Sequence, residues 1–184
     1  QGLRFFLFVE AHPLDLTAHY YAVSGQPRLP ARWALGPVIW RNENRDQAQV
    51  ISDVETMREL DLPANGYWID RPYARAVNSF DFTPEKFDDA QGMIDRIHAL
   101  GYRFALWHTP YVGEETEATA ALHQFAEENG YYPPRTGLGL YLNNWGRLVD
   151  LTNPEAYAWW QSLVTRYVDM GVEGFKLDFA QDIQ

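Results

Sequence analysis

Four short apolar runs, at residues 35–40, 65–70, 102–110 and 174–179, are separated by stretches whose apolar residues recur at helical spacing. This alternation constrains the fold more than any other feature of the chain. The runs lack a clean polar alternation, which is the pattern of strands buried on both faces of a parallel sheet. Val50, Ile51, Val54, Met57 and Leu60 predict a helix over 46–60. Thr83-Pro84-Glu85 has the form of a helix start, with the helix running to Leu100 and closed by Gly101. A further helical stretch falls at about 116–129, and Asn153-Pro154-Glu155 opens another that Gly171 stops. The order β-α-β-α-β, long loop, α-β restricts the fold to a doubly wound sheet or a (β/α)8 TIM barrel.

Upstream, residues 3–10 read as one more strand, rich in aromatic and β-branched residues, and residues 18–23 as a turn of helix or bridging piece. Ser24-Gly25-Gln26-Pro27-Arg28-Leu29-Pro30 is a Gly/Pro-punctuated connector, which places a domain boundary near Leu29. The expected organisation is the end of an N-terminal β-domain over 1–28, then an α/β domain over 29–184.

Polar residues at strand ends choose between the two folds. Trp40-Arg41, Asp70, His108 and Asp178 each stand at or just past the carboxyl end of a predicted strand, where a TIM barrel keeps its catalytic groups. Four strands make the first half of such a barrel. No Gly-x-Gly-x-x-Gly or Gly-x-x-x-x-Gly-Lys-Ser/Thr loop is present, so no dinucleotide or nucleotide cofactor is expected. No Gly-x-Ser-x-Gly elbow supports a serine hydrolase. The absence of Cys rules out thiol nucleophiles, and the five His show no His-Glu-x-x-His spacing, so no metal is assigned. The net charge of −10 disfavours nucleic acid, and no apolar run approaches the ~20 residues of a membrane span. Residues 3–9 lack the basic flank and cleavage site of a signal peptide.

Among the candidate residues, Asp178 sits at the end of an apolar strand beside Lys176, where a carboxylate is costly unless partnered. It either caps the next element or acts as a nucleophilic or basic group. Asp70 is a turn residue before Arg71-Pro72 or a hydroxyl-binding carboxylate of the same cleft. Asp150 precedes a helix start and reads as structural. His108 is a satisfied structural group or a ligand. Aromatics make up 15% of the chain, so Trp107 and Trp145 serve as sugar platforms or as packing, while Trp159-Trp160 reads as packing.

Five stretches in order resemble glycoside hydrolase family 31, the α-glucosidase and α-xylosidase family. They are Tyr21-Ala22-Val23-Ser24-Gly25 with Leu29-Pro30-Ala31-Arg32-Trp33-Ala34-Leu35-Gly36; Gly66-Tyr67-Trp68-Ile69-Asp70; Phe82-Thr83-Pro84-Glu85-Lys86-Phe87 leading to Leu106-Trp107-His108-Thr109-Pro110; Val149-Asp150-Leu151-Thr152-Asn153-Pro154 with Trp159-Trp160; and Gly174-Phe175-Lys176-Leu177-Asp178-Phe179. The resemblance implies a retaining α-glycosidase acting on an oligosaccharide or glycoside. It puts Asp178 at the nucleophile and Asp70 at a carboxylate that binds sugar hydroxyls. It puts Trp107, Trp145, Lys176 and Phe179 on or near the lining of the same subsite; His108, from its place at a strand end, is expected in the same substrate-binding set. The Lys-x-Asp-Phe form is more like the xylosidase side of the family than the Asp-x-Asn-Glu form of many α-glucosidases. Gln181 stands where the family usually carries an acidic residue, which points to a divergent specificity. The acid/base is expected on a later strand beyond residue 184, so the isolated chain is expected to be inactive. The other reading is a non-catalytic carbohydrate-binding barrel that keeps the cleft without the chemistry.

Overall fold

The computed structural model describes residues 4–114, 116–133 and 145–179. The chain divides into two compact units, residues 1–35 and 36–184. In the first, residues 4–10 form no strand, which corrects the expectation for 3–10. A strand needs a hydrogen-bonded neighbour to be stable, and among the described residues this segment has none. Phe5, Leu7 and Val9 are accordingly exposed. The bridging piece expected at 18–23 is part of a full helix, α1 (Pro13–Ser24). Pro13 occupies its first turn, His12 caps it by accepting from the Leu14 N–H at 3.3 Å, and Gly25 ends it at φ +90°.

The second unit runs β1 (Val38–Arg41), α2 (Gln47–Glu59), β2 (Gly66–Ile69), α3 (Ala90–Ala99), β3 (Arg103–His108), β4 (Tyr111–Val112), α4 (Ala120–Glu128), β5 (Arg147–Leu148), α5 (Pro154–Asp169) and β6 (Gly174–Leu177). Strands β1, β2, β3 and β6 form one sheet in that order, and all three pairings are parallel. The expected α/β alternation and all four expected strands are therefore present. The β4–β5 antiparallel pair, buried in the long β3–α5 connection, has no counterpart in the sequence reading.

The helices form where their caps and apolar spacing agree. Asp46 caps α2 through the Gln49 N–H at 2.8 Å, and Val50, Val54 and Met57 bury one face. Asn153 caps α5 through the Glu155 N–H at 2.9 Å, and Ala156, Trp160, Leu163 and Tyr167 bury its stripe. Gly171 follows at φ +105°, in a place where a Cβ would lie 2.8 Å from the His98 ring.

The start of α3 differs from expectation. Thr83 closes a single turn with Lys86 and Phe87, and the helix begins seven residues later under an Asp89 cap. The cause lies in competing partners. The Lys86 carbonyl accepts from the Gln47 N–H at 2.8 Å, and the Asp89 N–H donates to the Gln47 side chain at 3.0 Å. Those groups are spent on α2 and cannot continue a helix from Thr83.

One face of the sheet carries the core. Tyr67, Ile69, Phe104 and Leu106 lie within 1% of complete burial, packed with Met93, Ile94 and Ile97 of α3. Each such side chain contributes roughly 1.5–3 kcal/mol. The opposite face carries the site.

Candidate active site

Side chains alternate between faces along a strand, and parallel partners in register share a face. The pairing of Trp40 with Trp68 puts both indoles on the face opposite Tyr67 and Ile69. Two residues on, Asp70 lies on the same side of β2, and the pairing of Trp107 with Lys176 extends that row to β3 and β6. Asp178 follows two residues after Lys176, its N–H donating to the His108 carbonyl at 3.0 Å. The backbone thus brings Asp70, Trp107, Lys176 and Asp178 to one edge.

Their contacts are specific. The Lys176 ammonium lies 3.5 Å from Asp70 Oδ2 and 3.1 Å from Asp178 Oδ2, bridging the two carboxylates. The Trp107 indole N–H donates to Asp178 Oδ2 at 3.1 Å, and Asp178 Oδ1 accepts from the Phe179 N–H at 3.1 Å. Asp70 is buried, and its Oδ1 accepts from the Arg71 N–H at 2.8 Å. Partial burial pushes the Asp178 carboxyl up. The Trp107 hydrogen bond and the Lys176 ammonium outweigh it and hold the group below the usual carboxylate range. Asp178 is therefore an ionised, partly exposed carboxylate at the carboxyl edge of a parallel sheet, as a nucleophile requires.

Aromatic rings wall the edge. Trp145 packs on Phe179 with centroids 4.6 Å apart and on Trp107 at 5.4 Å. Phe179 has φ +53°, a left-handed conformation that turns the chain directly after Asp178. The Arg71 guanidinium lies 4.3 Å over the Trp145 ring. A cavity of about 210 Å³ opens between residues 71–78 and Trp107. The Tyr73 hydroxyl donates to the Trp107 carbonyl at 3.2 Å and ties this wall to β3.

The structure does not bring His108 to this group. One residue past Trp107, it faces the helices, in edge and tilted contact with Phe80, Trp160 and Phe175. Neither ring nitrogen has a hydrogen-bond partner among the described residues, and burial lowers the imidazole to about 4. It is a neutral core residue, which removes it from the expected substrate-binding set. Asp150 accepts from the Thr152 N–H and hydroxyl ahead of α5, a local turn role. Gln181 lies outside the described residues. Trp40 is among the strand-end residues expected at the catalytic edge, whereas Trp68 and Arg71 are not among the expected site residues. Stepping back by two from Asp70 would have put Trp68 on the cleft face. Among the described residues no group of three or more His, Asp or Glu could hold a metal ion, and no helix is long and apolar enough to cross a membrane.

Consecutive parallel strands that deliver carboxylates to one edge, under a helix layer on the other face, define the class as part of a TIM-barrel enzyme domain. The chain belongs to glycosyl hydrolase family 31, whose TIM-barrel domain model matches residues 27–184. It is 25% identical to the α-xylosidase XylQ of Lactiplantibacillus pentosus over all of this chain and 24% of that protein. It is 28% identical to the lysosomal α-glucosidase of Bos taurus over 90% of this chain and 18% of that one. Among solved structures, a family 31 α-xylosidase from a soil metagenome, complexed with xylose, aligns with a TM-score of 0.77 at 22% identity, covering 94% of this chain and 26% of the other. The family 31 dextranase of Flavobacterium johnsoniae, complexed with glucose, also gives 0.77 at 22% identity, over 92% and 22%. The chain therefore spans about a quarter or less of the length of these relatives.

Proposed function

We propose that this chain is the part of a retaining α-glycosidase that holds the nucleophile, Asp178, and part of the subsite for the sugar whose bond is cleaved. The observation that carries the reading is the pair of carboxylates bridged by Lys176 at 3.5 and 3.1 Å, with Trp107 donating to the more exposed one. The substrate is an oligosaccharide or glycoside with a terminal α-linked sugar of glucoside or xyloside type, the class named for the relatives.

In the first step a carboxylate oxygen of Asp178 bonds to the anomeric carbon as the glycosidic C–O bond breaks. The leaving oxygen takes a proton from an acid that lies outside residues 1–184. In the second step water gives a proton back to that same group, bonds to the anomeric carbon and displaces Asp178 as a carboxylate. Trp107 and Lys176 keep Asp178 ionised before attack and stabilise it again as it leaves. Asp70, whose Oδ1 accepts from the Arg71 N–H and whose Oδ2 lies beside the Lys176 ammonium, accepts hydrogen bonds from sugar hydroxyls. Trp145 and Phe179 wall the sugar. Residues 1–28 are the end of an N-terminal β-domain with its connector, and residues 29–184 the first four β/α units of the barrel.

The test is a mechanism-based glycosyl label applied to the full-length enzyme, followed by peptide mapping. Label on Asp178, together with no steady turnover of an activated aryl glycoside by residues 1–184 alone, is the expected result. Label on another residue overturns the assignment of Asp178, and multiple turnover by the isolated chain overturns the placement of the acid.

A further inference from the structure

We infer that Trp40 and Trp68 are positioning residues: their stacked indoles form a cation platform that holds the Lys176 ammonium against Asp70 and Asp178. The inference rests on the proposed role of Asp178 and adds a determinant from β1 and β2 that acts on it through Lys176.

The geometry begins with strand register. Trp40 and Trp68 are direct parallel partners, and their rings stack with centroids 4.8 Å apart and planes 19° from parallel. The Lys176 ammonium lies 4.8 Å from the Trp68 ring centroid and 5.6 Å from that of Trp40, both within the ~6 Å reach of a cation–π contact. Asp70 stands two residues beyond Trp68 on the same strand. The ammonium therefore sits between indoles toward the amino end of the sheet and carboxylates toward its carboxyl end.

A lysine needs such support. Its flexible stem and compact charge favour water unless something fixes them. Two carboxylates attract the ammonium but do not choose between them, and a lysine that collapsed onto Asp70 alone would leave Asp178 with only the Trp107 and Phe179 N–H donors. The indole faces attract the charge without neutralising it and give the ammonium a second set of contacts beside the carboxylates. Lys176 is thereby kept bridging. Among the described residues, the charged groups facing this ammonium are Asp70 from β2 and Asp178 from β6. The Arg71 guanidinium lies over the Trp145 ring.

The experiment is a double-mutant cycle in the full-length enzyme with Trp68→Leu, Trp68→Phe and Lys176→Met, read by the pH dependence of kcat/KM on an aryl glycoside. Trp68→Leu is expected to lower kcat/KM about 2- to 30-fold and to move the acid limb to higher pH. Trp68→Phe, which keeps a π face, recovers most of that loss. In the Lys176→Met background Trp68→Leu has no further effect. An activity-free reading comes from NMR of specifically labelled lysine: the Lys176 side-chain protons, shifted upfield by the indole ring currents, move toward free-lysine values in Trp68→Leu. The platform is overturned if Trp68→Leu acts equally with and without Lys176, if Phe is no better than Leu, or if the lysine signals do not move. Absence of label from Asp178 in the wild type sinks the catalytic reading instead, and the lysine signals then decide the platform alone.

Discussion

The two faces of the four-stranded sheet are built from the same strands and differ in what their side chains need. On the helix side, Tyr67, Ile69, Phe104, Leu106 and His108 are buried and touch mainly apolar neighbours. On the cleft side, Trp40, Trp68, Lys176 and Asp178 are partly exposed, and apart from the Trp40–Trp68 stack their side-chain contacts pair a charge with a ring, a donor or an opposite charge. The helix face gains from removal of water, whose benefit scales with apolar area. The cleft face pays for its charges through mutual pairing and keeps one carboxylate ionised and reachable. Apolar burial and charge pairing are thus assigned to alternate residues of the same strands.

Four substitutions break or sharpen that contrast. The largest effect belongs to Asp178→Asn in the full-length enzyme. The amide is nearly the same shape, so the thermal midpoint should hold, while kcat/KM falls on the order of 10⁴-fold or more, as for removal of other covalent nucleophiles. Retained activity would remove Asp178 from the mechanism. On the other face, Phe104→Ala should cost about 3–5 kcal/mol in denaturant unfolding, because the side chain is fully buried between sheet and helices. A loss below about 1 kcal/mol would mean that this face is not the core.

The third concerns acid. His108 is held neutral, its value lowered by burial from the ordinary 6.5 to about 4. Between those values the unfolded chain takes up a proton that the folded chain refuses. Unfolding is then favoured as pH falls, by about 3 kcal/mol at most over the window. Above pH 6.5 both states are neutral and the effect vanishes. His108→Phe should flatten this slope in unfolding titrations from pH 7 to 4. An unchanged slope would place the acid sensitivity elsewhere.

Much of this was legible in sequence because strand ends are marked by residue type. Asp70, Lys176 and Asp178 stand out in apolar runs, and Gly101 and Gly171 mark where helices stop. The face on which a residue lies was harder to read. Residues 102–110 form a nearly continuous apolar run, and an error of one residue moves a side chain to the opposite face. That is why His108 was grouped with Trp107 although the two point apart. The delayed start of α3 and the missing strand at residues 4–10 both depend on long-range partners, Gln47 in one case and an unpaired edge in the other. Local propensity carries no record of such partners.

The smallest expected effect tests whether the cleft face acts through charge rather than bulk. Trp107 is almost fully buried, yet its one polar atom serves Asp178. Trp107→Phe keeps a large ring against Trp145 and Phe179 and deletes the N–H. A hydrogen bond to a charged group is worth about 1.5–3 kcal/mol, so kcat/KM should drop at least about 10-fold. Part of that loss should appear as a shift of the acid limb to higher pH, since a donor that holds the Asp178 carboxyl down has gone. Sign and size separate this from a packing defect, which would lower kcat/KM at every pH together with the thermal midpoint. If the pH profile keeps its shape while the midpoint falls, Trp107 belongs with the helix-side residues in function, and the division of labour between the two faces fails at the strand where it should be sharpest.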